Sequence, residues 1–165
     1  AFQFVLLSTT KETERESSIT TEDKKEYNYN KPNQTERKGL VVTRVGQGYY
    51  RKQLLERWEN KCAVTSCTIK NILIASHIVP WRKSNDAERL DVGNGILLSP
   101  DLDALFDKHL ISFNDEGNIL ISKNLTEDQL TNLGVSKYLR LHTVYPDMIS
   151  YLSRHREEFN EKEAS

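Results

Sequence analysis

Cysteine, methionine, long apolar runs and a surplus of one charge are all missing or scarce in this 165-residue chain, and each shortage excludes a class of protein. The two cysteines, Cys62 and Cys67, are too few for a disulfide framework and only half of a four-cysteine zinc site. No structural zinc is expected. No apolar run approaches the roughly 18 to 20 residues that span a bilayer, and no basic-then-apolar leader stands at the N-terminus. The expectation is a cytoplasmic protein with no membrane partner. Twenty-three Lys and Arg against 24 Asp and Glu leave a formal net charge of −1, so any contact with nucleic acid must come from a local patch. Methionine occurs once, at Met148, and the chain begins at Ala1, which reads as a piece of a longer protein.

What is present suits one compact domain with a polar excess: 37% of residues are hydrophobic and 28% charged. Residues 1–8 read as a strand left over from a preceding domain. Over 9–39, Thr, Glu, Lys, Ser and Asn dominate, with Ile19, Tyr27 and Tyr29 as the large apolar residues. Such a stretch buries too little surface to offset the cost of ordering it, and it reads as a linker. The packed domain is expected over 40–160, with a short tail at 161–165.

Within that domain Tyr50, Leu54, Leu55 and Trp58 recur at helical spacing, which predicts an amphipathic helix over Tyr49 to Glu59. Cys62 to Thr65, Asn71 to Val79 and Gly95 to Leu98 are apolar enough for strands. Ser99-Pro100 reads as an N-cap followed by proline in the first helical position, opening a helix to about Leu110. Leu110 to Phe113 and Asn118 to Ser122 flank Asn-Asp-Glu-Gly as a hairpin. Helices are expected over Thr126 to Leu133 and Pro146 to Phe159.

Polar residues in an otherwise apolar setting mark a candidate site: Ser76 and His77 near the end of a strand, then Asn94, Asp103, Asp107 and His109. His77 has an unperturbed pKa near neutrality, which suits a general base; a hydrogen-bonded, partly buried histidine fits the same residue. Asp103 and Asp107 differ by about 40° around a helix, whereas Asp103 and His109 differ by about 240°. Two carboxylates on one face suit a hard cation such as Mg²⁺ or Mn²⁺, although acidic residues in a first helical turn are also favoured by the helix dipole. That second reading is adopted for Asp101. Arg44, Arg51, Lys52, Arg57 and Lys61 cluster around the first helix, and Arg82, Lys83 and Arg89 lie between His77 and Asn94. These are the candidate phosphate contacts, the second group above all, with Trp81 either against a sugar or in the core. His142 and His155 read as structural. Ser76 is a poor hydrolase nucleophile, because adjacent strand residues face opposite ways and it could not easily meet His77.

Several segments, taken together, resemble the HNH endonuclease family. They are Gly46-Gln47-Gly48-Tyr49-Tyr50-Arg51, Cys62-Ala63-Val64-Thr65, Ala75-Ser76-His77-Ile78-Val79-Pro80-Trp81, Asn94-Gly95-Ile96-Leu97-Leu98-Ser99, Leu102-Asp103-Ala104-Leu105-Phe106-Asp107 and His155-Arg156-Glu157. The likeness runs from about Leu40 to Phe159. It implies an α+β fold with a ββα-metal core, flanking helices and a hairpin, and metal-dependent hydrolysis of DNA phosphodiesters to 5′-phosphate and 3′-hydroxyl ends. It also implies roles: His77 as general base, Asn94 as the residue that tethers the loop and orients His77, and Asp103, nine positions after Asn94, as metal ligand. Where the family carries a second ligand it follows four residues later, and that position is Asp107. Ser76 stands where the family often carries an Asp or His ligand, and whether Ser76 through water or Asp107 completes the site stays open.

The expected protein is therefore an HNH-type DNA endonuclease of a prokaryotic restriction or defence system, using Mg²⁺ or Mn²⁺ on double-stranded DNA. A separate N-terminal recognition domain and a homodimer are further expectations. The alternative is a nucleic-acid-binding module that keeps the fold without cleavage.

Overall fold

The computed structural model describes residues 34–165, with side chains from Val45 onward. The expected strand over 1–8 and the linker up to residue 33 lie outside the described residues. Arg44–Ser165 form one compact unit.

Helix α1 spans Gln34–Arg57 and buries the anticipated stripe of Tyr50, Leu54, Leu55 and Trp58. It begins fifteen residues before Tyr49, inside the segment read as linker, because Gln, Glu, Arg and Lys are good helix formers. Its end is sharp: Glu59 and Asn60 adopt positive φ of 52° and 57°, and the Asn60 amide turns back to the Leu55 carbonyl.

Cys62 to Thr65 is a turn, not the expected strand. Its three apolar residues are buried all the same, and burial alone does not separate a strand from a turn. The Thr65 amide caps the Cys62 thiol, and Ser66 takes a φ of 60° that ends any extension.

Strand β1 is Ile74–His77, shorter than the expected Asn71 to Val79. Its antiparallel partner β2, Gly95–Leu98, has only four residues to offer, pairing Ile74 with Leu98 through His77 with Gly95. Residues before Ile74 have no ladder to join. Between the strands run a 3₁₀ turn (Trp81–Lys83), helix α2 (Asp86–Leu90) and a second 3₁₀ turn (Val92–Asn94). The α2 start is a reciprocal capping box of Asn85 and Glu88.

Helix α3, Pro100–Asp107, packs on β1 and completes a ββα unit, so the fold is mixed α+β as expected. Pro100 holds the first position, but Ser99 makes no side-chain cap; its hydroxyl lies by the Cys62 sulfur. The helix stops at Asp107 rather than near Leu110, because His109 turns left-handed (φ 57°) and Leu110 bonds back to Leu105. Strands β3 (Ile111–Phe113) and β4 (Ile119–Ile121) form the anticipated hairpin, its turn closed by the Asn114 carboxamide and by Gly117 at φ 83°. Helix α4, Glu127–Asn132, has a Thr126–Gln129 capping box. A 3₁₀ turn at Pro146–Met148 leads into α5, Ile149–Ala164. This last helix passes through the expected tail, since Glu163 is held by the Lys123 amide at 3.0 Å and by the Ser122 hydroxyl. Among the described residues no helix is long and apolar enough to cross a membrane.

The core closes where α5 meets α3 and β3. His155 is 1% exposed, stacked on Phe106 at 3.8 Å, with its Nε2 donating to the Phe106 carbonyl and its Nδ1 accepting from Ser112. Burial pushes its pKa down to about 4, the Phe106 carbonyl opposing only in part. The ring is neutral in the fold, so its contribution is complete above about pH 6.5 and is lost as pH falls from 6.5 towards 4. Urea midpoints over that window should reveal a loss of up to about 3 kcal/mol, and His155→Gln, which cannot titrate, should show a flatter profile.

Candidate functional site

Asn94 is fully buried at the end of the second 3₁₀ turn, directly before β2, and uses its whole carboxamide. Its Oδ1 accepts from the Val79 amide at 2.8 Å, and its Nδ2 faces the Glu88 carbonyl at 3.1 Å and the Ser84 hydroxyl at 3.2 Å. Its backbone carbonyl takes the Tyr50 hydroxyl at 2.8 Å and the Ile78 amide at 3.1 Å. One side chain thus closes the loop that leaves β1 and holds α2 against it. The next residue must be glycine, because a Cβ at Gly95 would fall 2.5 Å from the Tyr50 Oη and 2.6 Å from Leu54.

His77 ends β1, half-buried between the Tyr50 ring, stacked at 4.4 Å, and the edge-on Trp81 ring at 5.5 Å. Its Nε2 lies 2.9 Å from the Arg89 carbonyl, one residue beyond the Glu88 carbonyl that Asn94 holds. A carbonyl only accepts, so the proton sits on Nε2 and Nδ1 carries the lone pair. Among the described residues Nδ1 has no hydrogen-bond partner. Burial lowers the His77 pKa, opposed in part by the Arg89 carbonyl, which favours the neutral ring.

Ser76 points to the other face of β1, as strand alternation requires, and is buried towards α3. There it meets Asp103. Burial raises the Asp103 pKa, the Ser76 hydroxyl lowers it as a donor, and the Asp107 charge one turn on raises it again. The structure therefore brings Ser76, Asp103 and Asp107 together, and separately joins His77 to Asn94 through α2. Among the described residues no three Asp, Glu, His or Cys side chains form a metal cage. A half-buried carboxylate destabilised by a neighbouring carboxylate, with one hydroxyl beside it, is an all-oxygen donor set. It fits an ion such as Mg²⁺, which keeps several waters and takes one or two protein carboxylates.

His109 does not join that pair. The break after Asp107 turns it away to stack on His155 at 4.3 Å. His142 is exposed and bonded to the Ser66 hydroxyl at 2.7 Å, and both cysteines are free thiols.

The expected cationic residues divide in two. Arg51 is spent on the fold, donating to the Leu73 carbonyl at 2.6 Å and the Lys70 carbonyl at 3.1 Å, beyond the end of β1 opposite His77. Arg89 likewise holds the Trp81 carbonyl at 3.1 Å and Asp86 at 2.8 Å while covering the Trp81 ring. Trp81 is thereby wedged between His77 and Arg89. Lys83 pairs with Glu158 at 2.9 Å. Arg82 and Lys52 are exposed with no ion pair among the described residues. Sequence reasoning passed over Tyr50, which serves Asn94 and His77 together. It also passed over the Asn-x-x-Glu box of α2, a legible capping signal, and Arg154 on the expected last helix, which grips Glu88 at 2.7 Å.

Replacing Asn94 by Ala strips partners from the buried Val79 amide and Glu88 carbonyl. It should lower unfolding stability by about 2–4 kcal/mol in denaturant titration, since a buried group left without its partner costs about 1–3 kcal/mol. An unchanged midpoint would show that water replaces the carboxamide.

No curated protein matches the chain. Residues 62–114, which include His77, Asn94, Asp103 and Asp107, match a family model described as HNH endonuclease. With the ββα order around them, the match supports an HNH-family domain over these residues.

Proposed function

We propose that this domain is a metal-dependent endonuclease that hydrolyses DNA phosphodiester bonds, with His77 as general base. The observation that carries the reading is the His77 imidazole: its Nε2 is fixed on the Arg89 carbonyl and its Nδ1 is left with a free lone pair. The strand that bears it also brings Ser76 to Asp103. Nδ1 takes a proton from the attacking water as the water oxygen bonds to phosphorus. The bond from phosphorus to the 3′ oxygen breaks, that oxygen takes a proton from solvent, and the ends are 5′-phosphate and 3′-hydroxyl. Asp103 and Asp107, with the Ser76 hydroxyl beside them, would hold a divalent cation, Mg²⁺ or Mn²⁺. Such an ion supplies Lewis-acid stabilisation of charge on the phosphate.

Asn94 acts through position: it anchors α2 and so the carbonyl that orients His77. Tyr50 fixes the plane of the same ring by stacking. Arg82 and Lys83, directly after the base strand, contact the backbone phosphates, while Arg51 and Arg89 brace the fold. One such site cuts one strand, so double-strand cleavage calls for two copies in a homodimer. Target choice by a separate N-terminal domain, and a place in prokaryotic restriction or defence, rest on the family resemblance.

The test is plasmid cleavage with Mg²⁺, Mn²⁺ or EDTA. His77→Ala should lose about 10²- to 10⁴-fold in rate and Asp103→Asn should lose its response to metal, while His142→Ala cuts like the wild type. Duplex binding without cutting under every metal would favour instead a binding module that keeps the fold, the reading motivated by Ser76 in a ligand's place.

A further inference from the structure

A cleft of about 720 Å³ lies between the Trp81–Lys83 turn, the end of α3 and the face of α5. Asp107 borders it, so it adjoins the site described above. Its wall holds an unmet donor. His109 is 4% exposed, lines the cleft, and its Nε2 has no hydrogen-bond partner. Its Nδ1 lies 3.4 Å from the Lys162 ammonium. An ammonium only donates, so Nδ1 accepts and the ring proton sits on Nε2. Neither group is free to swing: the ring is stacked on His155, and Lys162 is anchored on the Lys108 carbonyl at 2.9 Å.

The Glu158 carboxylate stands close by, its Oε2 3.4 Å from His109 Nε2 without forming a hydrogen bond. The same oxygen takes the Lys83 ammonium at 2.9 Å. An anionic oxygen therefore already sits between an ammonium and an imidazole N–H, an arrangement that suits a phosphate oxygen equally well. Arg82 and Lys108 add two positive charges to the lining, and Glu161 adds one negative charge.

We propose that this cleft binds a backbone phosphate of the DNA strand beside the cut, with Lys83, Lys162 and the His109 Nε2–H as donors, and that Glu158 holds its place in the free protein. The proposal rests on the nuclease reading and assigns that site a binding groove built partly by the last helix. When DNA enters, the phosphate takes over Lys83 and satisfies His109, and Glu158 turns towards solvent.

The experiment is fluorescence anisotropy of a labelled DNA duplex in EDTA, where no cutting occurs, over a series of KCl concentrations. Lys83→Ala and Lys162→Ala should each weaken binding about 3- to 10-fold and reduce the log–log salt slope by about 0.9, the value for one phosphate contact. Glu158→Gln should tighten binding about 3- to 10-fold, because it removes the internal competitor. His109→Gln, with folding checked by thermal melting, should weaken binding without changing the slope, and Lys137→Ala should change neither. Inorganic phosphate is the second arm: if it alone shifts the His109 ring nitrogen resonances and the duplex does not, the cleft takes a small anion and the proposal fails. If the wild type binds and cuts DNA while the Lys162 and Glu158 variants behave like it, the inference falls and the nuclease stands. A wild type that binds no duplex overturns both.

Discussion

A single buried carboxamide sets the geometry on which the rest of this domain depends. Asn94 has no surface in water and engages the backbone of the loop on both sides, at Val79 and Glu88. In an apolar interior each of those groups would otherwise lose its partner, so the loop has one arrangement at low free energy. The Arg89 carbonyl follows from where Glu88 is held, and the His77 tautomer follows from that carbonyl. Gly95 extends the logic, since only a residue without a side chain lets Tyr50 and Leu54 approach β2 and lets the Tyr50 ring lie flat on His77.

Strand β1 then divides labour by alternation alone. Ser76 faces α3 and the two aspartates, while His77 faces the loop and α1. Four ladder pairs suffice to hold them, because α3 packs on one side and α1 covers the other. The loop between the strands is clamped from outside by α5, through Arg154 to Glu88 and Lys83 to Glu158. A chain almost neutral overall thus separates its charges locally. Carboxylates gather on α3, cations gather along the turn after His77, and the last helix carries both signs.

Much of this was legible from residue order. The stripe of α1, the hairpin around Asn114 to Gly117, the proline-led α3 and the pairing of Asp103 with Asp107 rest on periods and turn chemistry that act within a few residues. The misreadings share one cause. Cys62 to Thr65 is as apolar as a strand but packs as a turn, and Asn71 to Val79 is long enough for a strand but finds a partner of only four residues. Helices α1 and α5 exceed their expected limits because polar helix formers propagate a helix that neighbouring contacts have already secured.

The sequence by itself determined which residues were able to act: a histidine closing an apolar strand, an asparagine before the next, and two aspartates one helical turn apart. Each is a local pattern with a local physical cause. Only the tertiary structure decided what they do for one another, because contacts between separate elements depend on packing rather than spacing. Tyr50 meets Asn94, Arg51 and Arg89 are spent on backbone carbonyls, and His109 turns away from the aspartates towards α5. None of these contacts leaves a period in the chain; each exists because the core closed around it.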